Sequence, residues 1–148
     1  MDLLKVDHHN VGTLYELNRE LAVEEGQADL FIADYSEYQS AFLSETPVAQ
    51  AYLCMENNTP VGFYIYSYKF SSYLGAKVLH IEDIYLLKEY REKNIEKLLG
   101  HVAQVGSDAN CCRVEMRVLK AFNMGYNFIE NAGFREVEKW DIFRFGNK

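Results

Sequence analysis

Residues 78–87 and the segment after them constrain this chain more than any other part. VLHIEDIYLL is apolar nearly throughout, as expected of a strand covered on both faces. Lys88-Glu89-Tyr90 is a polar turn. After it, Ile95, Leu98, Leu99, Val102 and Val105 recur at helical spacing across 94–108. Ala109-Asn110 breaks the helix. Residues 112–119 then alternate as a strand, with Val114, Met116 and Val118 on one side and Arg113, Glu115 and Arg117 on the other. A helix joining two strands predicts a right-handed parallel crossover. It also brings a helix N-terminus to the end of a strand, where backbone N–H groups can point at an anion. Two carboxylates, Glu82 and Asp83, interrupt the apolar strand, and their burial there requires a reason.

The rest of the chain fits around this unit. Residues 3–6 read as a first strand, and Asp7 or Asn10 can cap the helix that follows. Val11, Leu14, Leu17 and Leu21 are the apolar stripe of that helix, with Glu16, Arg19, Glu20 and Glu24 off it, and Gly26 ends it. Residues 36–44 suggest a short helix with Ser36 as its cap, stopped by Pro47. Residues 48–56 and 61–70 read as a hairpin around Asn57-Asn58-Thr59-Pro60. On the second strand Phe63, Ile65 and Ser67 fall on one face, and Tyr64, Tyr66, Tyr68 and Phe70 on the other. A short helix over 122–132, ended by Gly133, and a strand over 140–145 complete the order β-α-α-β-β-β-α-β-α-β. This is an α/β chain with a twisted mixed sheet flanked by helices on both faces.

At 148 residues a single domain over 1–148 is the simplest division. A net charge of −7 disfavours a nucleic-acid binder and suits a cationic substrate. There is no signal-peptide core and no stretch of membrane-spanning length, so the cytoplasm is the expected location and no membrane partner is expected. Three cysteines, an odd number, fit reduced thiols. His8-His9 reads as a solvated turn, His80 as a satisfied strand residue and His101 as an exposed helix residue. No residue set has metal-ligand spacing.

Four segments resemble the GCN5-related N-acetyltransferase (GNAT) family, most of all its diamine and polyamine acetyltransferase branch. LHIEDIY, residues 79–85, is similar to that branch's central strand. YREKNIEKLL, residues 90–99, is similar to the family's Arg-x-x-Gly-x-Gly/Ala loop and helix. Residues 113–119 resemble the strand that splays from its neighbour. FIENAGF, residues 128–134, resembles the ending Phe-Tyr-x-x-x-Gly-Phe. The resemblance implies transfer of an acetyl group from acetyl-CoA to a primary amine of a small molecule, polyamine-like, diamine-like or amino-acid-like. It also implies a homodimer, for which the region 140–145 is a natural interface.

By that resemblance Glu82 and Asp83 hold and deprotonate the amine, and Glu24 attracts it; the stripe Tyr64, Tyr66 and Tyr68 reads as a packed aromatic sheet face of which one ring, Tyr64, lines the acceptor pocket. The backbone of Ile84, Tyr85 and Leu86 holds the pantetheine arm, and the loop Arg91, Glu92, Lys93, Asn94, Ile95 and Glu96 holds the pyrophosphate. Asn123 is a cofactor or helix-start residue. The sequence departs from the family at two places. Asn94 and Glu96 stand at glycine positions, and a carboxylate about 4 Å from a phosphate costs roughly 1–4 kcal/mol. Ile129 stands where a tyrosine protonates the departing thiolate. Tyr126, one helical turn earlier, is the candidate replacement. These departures keep a second reading open: a non-catalytic domain of the same fold with weakened or lost CoA binding, serving ligand sensing or protein association.

Overall fold

The computed structural model describes residues 1–118, 126–137 and 145. Its elements are β1 (Asp2–Lys5), α1 (Val11–Glu24), α2 (Tyr35–Leu43), β2 (Gln50–Glu56), β3 (Thr59–Ser71), β4 (Ala76–Leu86), α3 (Arg91–Asp108), β5 (Arg113–Met116) and α4 (Tyr126–Asn131). Among the described residues the strands form one sheet in the order β1-β2-β3-β4-β5. The first four are antiparallel to their neighbours, and β5 runs parallel to β4 across the α3 crossover. The order and the mixed sheet follow the expectation from sequence. The strand expected over 140–145, Phe145 apart, and residues 122–125 of the expected last helix lie outside the described residues.

Two apolar layers sandwich the sheet. Leu14, Leu17 and Leu21 of α1 pack on Leu53, Phe63, Ile65 and Tyr85. On the other side, Leu98, Leu99 and Val102 of α3 pack on Tyr64, Leu79, Ile81 and Leu86. Each such buried side chain contributes about 1.5–3 kcal/mol. The alternation read along 61–70 therefore divides correctly between the two layers. The β2–β3 hairpin turns through Asn57 and Asn58, whose φ values of 50° and 62° suit a primed turn and are tolerated by asparagine.

Several boundaries differ from expectation. Asp34, not Ser36, caps α2: its Oδ1 accepts the Glu37 N–H at 3.0 Å, and Glu37 Oε2 accepts the Asp34 N–H at 3.0 Å. Glutamate three residues after an acidic cap makes this reciprocal pair, and the Ser36 hydroxyl donates to the Asp34 carboxylate at 2.7 Å. Asn10 occupies the α1 cap position without a side-chain cap bond. Helix α3 starts at Arg91, not Asn94, directly after a 3-10 turn at Lys88–Tyr90. Its first turn is polar, so apolar periodicity does not register it. Strand β5 stops at Met116, short of 119.

Candidate active site

The register of β3 on β4 slips once. Ile65 pairs with Asp83 and Tyr66 with Ile81, leaving Glu82 as an extra residue in β4. Such a bulge bends and twists the strand that carries it. Pairing of β4 with β5 ends at the same level, at Ile81 with Met116. From Asp83 to Leu86, β4 keeps β3 as its partner and has no described partner on the β5 side. The Leu86 carbonyl accepts from the Arg91 guanidinium at the start of α3, so this end of β4 meets the N-terminus of the crossover helix.

The bulge also corrects a side-chain orientation. Adjacent strand residues should face opposite sides, but Glu82 and Asp83 both turn to the α1 side. Asp83 lies opposite Ile65, and its Oδ2 accepts a hydrogen bond from Asn18 Nδ2 of α1 at 3.2 Å. Glu82 Oε2 lies 3.3 Å from Nε2 of His80, which pairs with Ser67, two residues along the same face from Ile65.

Burial holds the Asp83 carboxyl above the ordinary carboxylate range. The Asn18 hydrogen bond and the Arg117 guanidinium pull it back down, and the Glu82 charge pushes it up. Glu25, at the end of α1, is also raised by burial and then by the charges of Asp83 and Glu24. Tyr38 of α2 contacts Asn18 through its hydroxyl, and burial raises it strongly. Glu82 is about half exposed and ion-paired with Arg117. His80 is held below its usual value by burial first, which keeps the imidazole neutral at pH 7, and its Nδ1 is buried without a hydrogen-bond partner. Carboxylates, a neutral imidazole and aromatic edges on one sheet face can hold a small ammonium group and accept its proton.

The loop side is arranged differently from expectation. Arg91 does not project freely: its Nε donates to the Leu86 carbonyl at 2.7 Å and its Nη2 to Glu24 Oε2 at 2.5 Å. Tyr85 donates its hydroxyl to the same Glu24 oxygen at 3.2 Å. Glu24 is thus committed to Arg91 and Tyr85, not presented to a substrate. Lys93 pairs with Glu56 at 3.0 Å. Asn94 turns inward at 3% exposure, its Nδ2 without a partner, and Ile95 packs beside it in the core. Because α3 begins at Arg91, Glu96 stands in the second turn, about 7.5 Å along the axis, and is exposed. The acidic residue in the first turn is Glu92. The influence of a charge on a helix terminus fades beyond that turn, so Glu96 opposes an anion there less than its alignment with a glycine implies.

Tyr64 is the plainest misplacement. It is fully buried on the α3 side of the sheet, stacked on Tyr52, with its hydroxyl 3.0 Å from His101 Nδ1. It lies behind the sheet from Asp83, and His101 is half-buried by the same contact, not exposed. Ile129 packs against the α3 core. Tyr126 opens α4, but its side chain, and all of Asn123, lie outside the described residues. Sequence reading missed Asn18, although a polar residue one turn after Leu14, within the Leu14-Leu17-Leu21 stripe, was a detectable signal. It also missed the contributions of Tyr38 and Arg117, which no local pattern marks, whereas Glu25 reads from sequence as a helix-end charge or, by the resemblance, as part of the acidic group that attracts the substrate. Among the described residues, no cluster of three metal-ligating side chains occurs, and no helix is long and apolar enough to cross a membrane.

This geometry agrees with comparisons to known proteins. The family model described as Acetyltransferase (GNAT) family matches residues 12–134. A thialysine N-epsilon-acetyltransferase from Bos taurus is 28% identical over 147 residues, covering 90% of this chain and 85% of that protein. The Mus musculus protein of the same name is 34% identical over 90 residues, covering 57% of this chain and 52% of the relative. Among solved structures, a probable acetyltransferase superposes with a TM-score of 0.78 at 19% identity, covering 100% of this chain and 99% of that one. An aminoglycoside acetyltransferase from an uncultured soil metagenomic sample, in complex with sisomicin, gives 0.80 at 14% identity, covering 99% and 96%. At such identities the structures speak for the fold alone. With most of the chain matched by the family model and a bulged central strand leading into the crossover helix, the chain belongs to the GNAT acetyltransferase family and is an N-acetyltransferase.

Proposed function

We propose that this protein acetylates the primary amine of a small amino-acid-like molecule, with acetyl-CoA as donor. The observation that carries the proposal is the Asp83 carboxyl, half-buried beneath α1 at the level where β4 and β5 part company. A carboxylate there serves as counter-ion to the incoming ammonium and takes its proton, since only the neutral amine attacks. Acetyl-CoA supplies the activated acetyl thioester. The backbone of Ile84, Tyr85 and Leu86 and the leading N–H groups of α3 would hold it. The inward turn of Asn94 and the second-turn position of Glu96 support that fit, and they weaken the case for a fold that has lost its cofactor.

Arg117 favours an amino acid over a polyamine. It sets a guanidinium against Glu82, where its remaining N–H groups can take a substrate carboxylate, a group a polyamine lacks. The relatives named for thialysine, an amino acid with a side-chain primary amine, support the same class. With Ile129 in the core, Tyr126 is the candidate to protonate the thiolate. A missing general acid would cost about 10²–10⁴-fold in rate without abolishing the reaction. From the resemblance and the free cysteines we also place the protein in the cytoplasm, as a homodimer.

The test is a steady-state assay with acetyl-CoA and either thialysine or the diamine made by its decarboxylation. Thialysine should be preferred about tenfold or more in kcat/KM, and Asp83→Asn should lower kcat/KM about 10²–10⁴-fold. A preference for the diamine overturns the amino-acid class. No turnover together with no acetyl-CoA binding overturns the transferase proposal for this chain.

A further inference from the structure

Asn18 stands out on α1. It is 7% exposed and lies within the stripe otherwise formed by Leu14, Leu17 and Leu21. A buried amide on an apolar helix face costs stability unless its polar atoms find partners. Asn18 finds two: Nδ2 donates to Asp83 Oδ2 at 3.2 Å, and the side chain contacts the Tyr38 hydroxyl. A leucine at this position would extend the stripe, so packing does not explain the amide. Its contacts lead to Asp83 and to Tyr38 of α2.

We infer that Asn18 is a positioning residue for the transfer. Its amide holds the Asp83 carboxylate in the orientation, and in the ionised form, needed to receive an ammonium and take its proton. This rests on the proposed role of Asp83. The groups facing Asp83 are Glu82 on β4, Arg117 beyond β5, Glu25 and Asn18 on α1, and Tyr38 on α2. Glu82 and Glu25 oppose its ionisation and Arg117 is already paired with Glu82. The Asn18 amide therefore supplies a neutral donor that supports the charged form without competing for the substrate's own charge.

Two measurements on the full chain separate this role from packing. The first is the pH profile of kcat/KM, whose acid limb reports the essential base of the free enzyme. Asn18→Leu and Asn18→Ala should each move that limb upward by about one pH unit, with a loss that is larger at pH 6 than at pH 9. Asn18→Leu should keep or raise the melting temperature. Tyr38→Phe should move the limb in the same direction by less. The second is the titration of the Asp83 carboxyl by carbon-13 NMR, identified by its disappearance in Asp83→Asn, which needs no substrate. Its midpoint should rise by the same amount in Asn18→Leu and Asn18→Ala. An unmoved midpoint and acid limb in both variants would overturn the inference. A moved midpoint in a protein that acetylates no amine would retain the role of Asn18 as the residue that sets Asp83 and reject the activity built on it.

Discussion

Arg91 and Glu24 join the two helices on opposite faces of the sheet. The guanidinium, on the first residue of α3, meets the carboxylate on the last residue of α1 at 2.5 Å and holds the Leu86 carbonyl at 2.7 Å. The Tyr85 hydroxyl completes the group. The end of α1 is thus tied to the start of α3.

Arg91→Met should therefore act first on stability. It leaves the Leu86 carbonyl and the Glu24 carboxylate without this donor, at a cost of about 1–3 kcal/mol. Urea unfolding measures that loss, and Glu24→Gln should show a smaller one. If Arg91→Met unfolds at the wild-type urea concentration while acetyl-CoA affinity falls steeply, Arg91 contacts the cofactor directly and the structural tie is secondary.

Asp83 should cost stability where it provides function. Its folded pKa is raised above the unfolded value, so the folded state binds the proton more tightly. Its contribution is most favourable below the ordinary Asp value of 3.8 and is lost as pH rises from there through the raised value. At pH 8 the carboxylate is charged in both states and penalises folding. Asp83→Asn should consequently raise stability at pH 8, seen as a higher Tm, while lowering kcat/KM about 10²–10⁴-fold. The Tm gain should shrink toward pH 4, and a gain independent of pH would contradict this account.

Gly62 should tolerate no side chain. A Cβ there would meet the Tyr85 carbonyl oxygen at 2.2 Å and the Leu86 Cα at 2.9 Å, both backbone atoms on β4. Gly62→Ala must push β3 from β4 at Tyr85 and Leu86. The expected loss is about 3 kcal/mol or more, measured by urea unfolding, with weakened acetyl-CoA binding in whatever protein folds. Near-wild-type stability would show that β4 can shift without harm.

Local chemistry wrote much of this protein into its sequence. Apolar periodicity distinguished α1 and α3 from the strands, and the Asn57-Asn58 turn set the β2–β3 hairpin. The helix between residues 87 and 112 required a parallel neighbour for β4. These features depend on spacing along the chain, so they could be read without the fold. The Glu82-Asp83 pair could likewise be singled out, because carboxylates in an apolar strand are costly wherever the strand lies. Tertiary structure decided how those carboxylates are used. One extra residue in β4 turns Glu82 and Asp83 to the same face, and two adjacent carboxylates by themselves do not say whether the strand alternates through them or slips. Distance in sequence concealed the rest. Asn18 reaches Asp83 across 65 positions, Arg91 reaches Glu24 across 67, and Tyr64 is withdrawn to His101 behind the sheet. Which side of the sheet a residue occupies, and which charge it meets there, depends on how layers stack, and only the folded chain specifies that.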